Sequence, residues 1–139
     1  MKAARALYPT DFSEDSLRRI SDAVAFCIQN KAELVVLYAY RLINRQSSKS
    51  NGYSLKKDMD FNASETFKSI EDNYLKELPI NYRLLSEVGF VDDRIAHSIK
   101  KHDIDNILLC RSLYDQLESK IVENPKGNKK LFDLPVVEV

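Results

Sequence analysis

Five short apolar runs alternate along this chain with segments of helical period, and that alternation limits the fold to a sheet crossed by helices. The runs are residues 3–8, 34–40, 80–88, 106–110 and 134–139. The second, Leu34-Val35-Val36-Leu37-Tyr38-Ala39-Tyr40, is apolar throughout. A strand so built has both faces covered, as a central strand of a parallel sheet does. The run 80–88 instead sets Ile80, Tyr82, Leu84, Ser86 and Val88 on one side with mostly polar residues between them. That is the pattern of an edge strand with one wet face. Pro135 stands at the start of the last run, where a missing N–H is tolerated.

Between the first two runs, Leu17, Ile20, Val24, Cys27 and Ile28 recur at helical spacing. Ser13 is placed as the N-cap, and Glu14 and Asp15 lie in the first turn, where the helix dipole favours negative charge. The spacing predicts a helix over 14–30. Ala63, Phe67, Ile70, Tyr74 and Leu78 predict a second helix that ends before Pro79. A third follows Gly89, with Val91, Ile95, Ala96 and Ile99 inward, Asp92 and Asp93 at its start and Lys100, Lys101 and His102 at its end. Leu113, Leu117 and Ile121 mark a fourth helix that stops before Pro125. Residues 41–57 contain Gln46-Ser47-Ser48-Lys49-Ser50-Asn51-Gly52, carry no period and read as a loop.

A chain of 139 residues, 44% of them hydrophobic, fits one domain with one core, so 1–139 is read as a single unit. Lys and Arg total 21 and Asp and Glu total 21, which leaves no net field toward nucleic acid or an anionic membrane. Neither is expected as a partner. No run approaches the roughly 20 apolar residues that span a bilayer, and Pro9-Thr10-Asp11 interrupts the start before a leader-like stretch develops. A soluble, cytoplasmic protein is expected. Cys27 and Cys110 sit among apolar neighbours and read as buried free thiols, with no metal set around them. His97 and His102 read as surface and helix-dipole residues. No Ser-His-Asp, His-Cys or carboxylate pair has catalytic spacing, so the chain is not expected to be an enzyme.

The segment Pro9-Thr10-Asp11-Phe12-Ser13, which ends a strand and opens a helix, resembles the first βα unit of the universal stress protein family. Residues 31–37 resemble that family's second strand, Val88-Gly89 its third strand and turn, residues 103–109 its fourth strand, and Leu134-Pro135-Val136-Val137 its closing strand. The resemblance implies a Rossmann-like, five-stranded parallel sheet in the order 3-2-1-4-5, with helices on both faces. It implies a homodimer that pairs its last strands, here through Val136, Val137 and Val139. It also implies an adenine-nucleotide site in which Asp11 and Ala39 contact the nucleoside while Pro9 and Thr10 shape the same wall.

The phosphate half of that site departs from the family pattern. Where nucleotide-binding members carry glycines after strand four, this chain has Cys110, Leu113 and Glu123, followed by Asn124. Glycines allow main-chain N–H groups to approach phosphates closely, and Glu123 would repel them. Gly127 serves only if the alignment shifts. Arg111 and Ser112 follow strand four at the carboxyl ends of the strands, where ligands bind in such sheets. Lys126, Lys129 and Lys130 are a lysine cluster that reads as solvated surface. Asp11 reads first as a backbone hydrogen-bond acceptor at a helix start and second as a ligand contact.

Three functions are weighed. The first is a universal-stress-type regulatory module, homodimeric, that binds a partner protein or a small ligand and for which no cofactor is expected. The second is a module that binds ATP or AMP through Asp11, Ala39, Arg111 and Ser112. The third is adenylyl transfer, and it is set aside because the first strand carries neither a His-x-Gly-His nor a Ser-Gly-Gly-x-Asp-Ser motif.

Overall fold

The computed structural model describes residues 4–41 and 52–139. Strand β1 (Arg5–Thr10) leads through a three-residue loop into α1 (Glu14–Arg18), which Arg19 joins to α2 (Ile20–Asn30). Strand β2 (Glu33–Tyr40) is followed by α3 (Gly52–Ile70), closed by a π-helical turn (Glu71–Leu75). Then come β3 (Tyr82–Val88), α4 (Val91–His102), β4 (Asn106–Leu109) and α5 (Arg111–Leu117), which tapers into a 3-10 turn (Glu118–Lys120). The chain ends in β5 (Val122–Glu123), β6 (Lys129–Leu131) and β7 (Leu134–Glu138).

The sheet has seven strands in the order β3-β2-β1-β4-β7-β6-β5. Its first five positions are parallel and follow the 3-2-1-4-last order expected from sequence. The five-strand expectation needs correcting at the other edge, where β5, β6 and β7 form an antiparallel meander. The helix expected to continue through Ile121 ends at Leu117, and the short strand β5 begins at Val122. The last strand is therefore not the sheet edge. Its Leu134 and Pro135 pair with Leu131 and Lys130 of β6.

Two further boundaries differ. Residues 52–57, expected as loop, open α3, while residues 42–51 of that expected loop lie outside the described residues. The second helix ends in the π turn at Leu75 rather than at Leu78, and Ile80 precedes β3. Strand β3 is an edge strand, but only Arg83 on it is exposed, because α4 covers the face expected to be wet.

The core forms where the continuous apolar strands lie. Ala6, Leu7, Tyr8, Leu34, Val35, Val36, Leu37, Ile107, Leu108 and Leu109 are buried in the central three strands. Even-numbered positions of β2 and β3 face α3. There Tyr40 Oη donates to Asp60, and Asp60 also accepts from Lys56 at 2.7 Å and Ser86 at 3.4 Å. Those donors, Lys56 first, hold the Asp60 carboxyl below its ordinary range. Odd positions of β3 face α4, where the Arg94 guanidinium lies 4.0 Å from Glu87 and Arg83 reaches His102 at 3.4 Å. Both right-hand steps of the sheet, β3 to β4 and β4 to β7, are parallel crossovers, and right-handedness puts α4 and α5 on one face and α2 and α3 on the other. The order reverses between β1 and β4, opening a crevice beyond their carboxyl ends.

Candidate functional site

The loop after β1 is held from within. Ser13 caps α1, its Oγ accepting the Ser16 N–H at 3.2 Å. Asp11 Oδ1 accepts the Ser13 N–H at 3.0 Å, the role expected for an aspartate at a helix start. Thr10 is buried and its hydroxyl meets that of Ser16 while accepting the Phe12 N–H at 3.1 Å. Phe12 between them takes a left-handed φ of 59°, a conformation disfavoured for a large side chain. Its ring stacks on Tyr38 at 3.9 Å and meets Phe67 edge-on at 5.4 Å, contacts that offset the strain.

The loop is tied to the start of α5, which begins one residue after β4. Asp15 Oδ2 accepts the Ser112 N–H at 3.2 Å. That bond is the main reason the Asp15 carboxyl is held below its ordinary range, with Arg18 and Arg19 adding to it. Ser13 Oγ and Cys110 Sγ each lie 3.3 Å from Ser112 Oγ. On the other side of the crevice, Gln116 of α5 donates to Asp11 Oδ2 at 3.2 Å. Both oxygens of Asp11 are thus engaged by the chain's own groups.

Of the residues singled out in the sequence, Asp11 and Ser112 are brought together through Ser13. Pro9 and Thr10 are buried in β1, and the Thr10 hydroxyl supports the loop through Ser16 and Phe12. Ala39 lines a cleft of about 290 Å³ together with Arg41, Gly89, Phe90, Val91 and Gln116. Arg111 is turned elsewhere. Its guanidinium bonds Glu138 at 3.1 Å and lies over the Tyr114 ring. Sequence reasoning missed Gln116 and the link from Asp15 to Ser112, because both join segments about a hundred residues apart and neither leaves a local pattern.

The residues at the expected glycine positions do not make a phosphate cradle. Cys110 and Leu113 are buried core residues, Glu123 lies in β5, and Asn124 shapes the turn after it. Gly127, at φ 85°, donates to the Asn124 carbonyl at 2.9 Å and serves that same turn. The three lysines diverge. Lys129 pairs with Glu138 at 3.1 Å and lies over Tyr114, contacts that push its amine up to about 12, Tyr114 first. Lys130 faces the other side of the hairpin.

No group of metal-binding side chains exists among the described residues, and no helix among them is long and apolar enough to cross a membrane.

No family model matches this sequence, and no curated protein matches it. Solved structures do. A universal stress family protein from Burkholderia pseudomallei is 12% identical over 98% of this chain and 95% of its own, with a TM-score of 0.74. The hypothetical protein MJ0577 is 18% identical over 100% of this chain and 96% of its own, with a TM-score of 0.75. A universal stress protein solved in complex with cAMP is 14% identical over 99% of this chain and 98% of its own, with a TM-score of 0.58. The chain has an α/β, Rossmann-like fold. It is the fold of the universal stress proteins, here with a seven-stranded sheet.

Proposed function

We propose that this chain is a universal-stress-type regulatory module that works by binding, as a homodimer and without catalysis, and that has given up phosphate recognition. One observation carries the reading. The groups that would meet a nucleotide at the carboxyl ends of β1 and β4 are already bonded to one another, Asp15 to the Ser112 N–H and Gln116 to Asp11. A phosphate arriving there meets two carboxylates, and like charges repel. The universal stress proteins that share the fold support a stress-response role.

A second reading is favoured by the cleft beside Ala39, whose volume of about 290 Å³ is near that of a nucleoside, and by the cAMP held in a protein of this fold. In that reading the base occupies the cleft between Ala39 and Gln116, and Gln116 releases Asp11 to a ribose hydroxyl.

Thermal unfolding with ATP, AMP and cAMP separates the two. A ligand at 100 times its dissociation constant stabilises by about 2.7 kcal/mol, several degrees for a domain of this size. The first reading expects no shift with any of the three at millimolar concentration. A shift of several degrees with AMP or cAMP overturns it in favour of the second.

A further inference from the structure

The meander that follows α5 has two unlike faces. Paired residues share a face in an antiparallel ladder, so the register of Val122 with Lys130, and of Lys130 with Pro135, puts these three on one side. The opposite side is covered: Leu131 is fully buried and Lys129 lies over Tyr114 of α5. The Val122 side is open, with Val122 69% exposed and Phe132 40% exposed. These two flank a hollow of about 390 Å³ that Asn124, Asn128, Lys130 and Asp133 complete.

Phe132 is displayed there at a cost. It and Asp133 form the two-residue turn between β6 and β7, at φ of 51° and 67°. A turn with both residues left-handed favours Asn-Gly, and a phenylalanine in it stores strain while gaining little burial. Among the described residues, Lys130 and Asp133 make no ion pair, although nearby Lys129 is paired with Glu138. An exposed apolar pair beside one unpaired cation and one unpaired anion is a self-complementary patch. A two-fold axis across it sets each Lys130 against the Asp133 of the other copy and buries Val122 and Phe132 between them.

We propose that a second copy of this chain docks on this hairpin face, with Val122 and Phe132 as anchors and Lys130 paired to Asp133 across the axis. This rests on the homodimer of the preceding reading but moves its contact away from the outer edge of β7, which β6 already occupies at Leu134 and Pro135.

Sedimentation velocity of the full chain, over a concentration series reaching tens of micromolar, tests it. Phe132→Asn suits the left-handed turn, so it keeps or raises the melting temperature, and it is expected to weaken dimerisation about tenfold or more. Lys130→Asp alone and Asp133→Lys alone are each expected to dissociate the dimer. Mixed in equal amounts, they are expected to form a heterodimer, because each patch then meets its opposite charge. A wild-type monomer throughout the series overturns the homodimer and this surface together. A dimer unmoved by Phe132→Asn, or two charge variants that stay apart on mixing, overturns the surface and leaves the homodimer standing.

Discussion

Replacing Asp15 by alanine tests the tie between the first loop and α5. The carboxylate accepts the Ser112 N–H at 3.2 Å and its side chain is 26% exposed, so the bond is charge-assisted and largely shielded. Losing it strands a donor, which costs on the order of 2 kcal/mol. The pairs of Asp15 with Arg18 at 3.6 Å and Arg19 at 3.8 Å are on exposed arginines and add only tenths. The expected loss is about 2 kcal/mol at pH 7, or roughly 8 °C in melting temperature. Asp15→Asn keeps an acceptor and gives up the charge, so about half that loss is expected.

The pH dependence fixes the cause. The Asp15 pKa is depressed in the folded chain, so its contribution is fully present above the unfolded carboxylate value of about 3.9 and fades as pH falls through the folded value. Urea unfolding at neutral pH and near pH 3 compares the full contribution with one measured below the unfolded carboxylate value. The gap between wild type and Asp15→Ala should narrow in acid. A loss under about 0.5 kcal/mol at neutral pH, or a gap of equal size at both pH values, would refute the reasoning.

Two further substitutions probe the opposite face. His102 is held below its ordinary range, by burial first and then by Arg83 and Lys101, while Glu87 opposes them. The unfolded chain therefore takes up that proton first as pH drops through about 6.5, and stability should decline from there in wild type more steeply than in His102→Gln, as followed by melting temperature against pH. Gly89 has a φ of 144°, and a Cβ there would lie 3.1 Å from Arg94 Nε, so Gly89→Ala is expected to cost more than about 1 kcal/mol in urea unfolding.

The parallel half of the fold was legible because burial on both faces leaves a continuous apolar run, and residues 34–40 and 106–110 could be little else. The start of α3 was not. Its first turns, Gly52 to Lys57, carry glycine, serine and lysines, and local propensity there points to loop. The meander was hidden for a different reason. Its strands are two and three residues long, one face is solvent-exposed, and the Phe132-Asp133 turn lacks the Asn-Gly signature of such a connection. Pro125 reads as a helix stop, but the helix ends at Leu117, well before it. In the site, the Asp11 to Ser13 bond was legible since it is local. Asp15 had been assigned to the dipole of its own helix, and its bond to Ser112 on another helix appears only once β1 and β4 are adjacent.

The meander also changes how the sheet is assembled. Pairing β1 with β4 brings Ala6 against Asn106 and must overcome the entropy of closing the long stretch between them, whereas Val122 finds Lys130 among its near neighbours. Strand β7 is anchored by its ladder with β4, whereas β6 is held by two pairs with β7, by Leu131 in the core and by Lys129 on Tyr114 and Glu138, so the β5–β6 end of the sheet is expected to open at lower cost than the central strands.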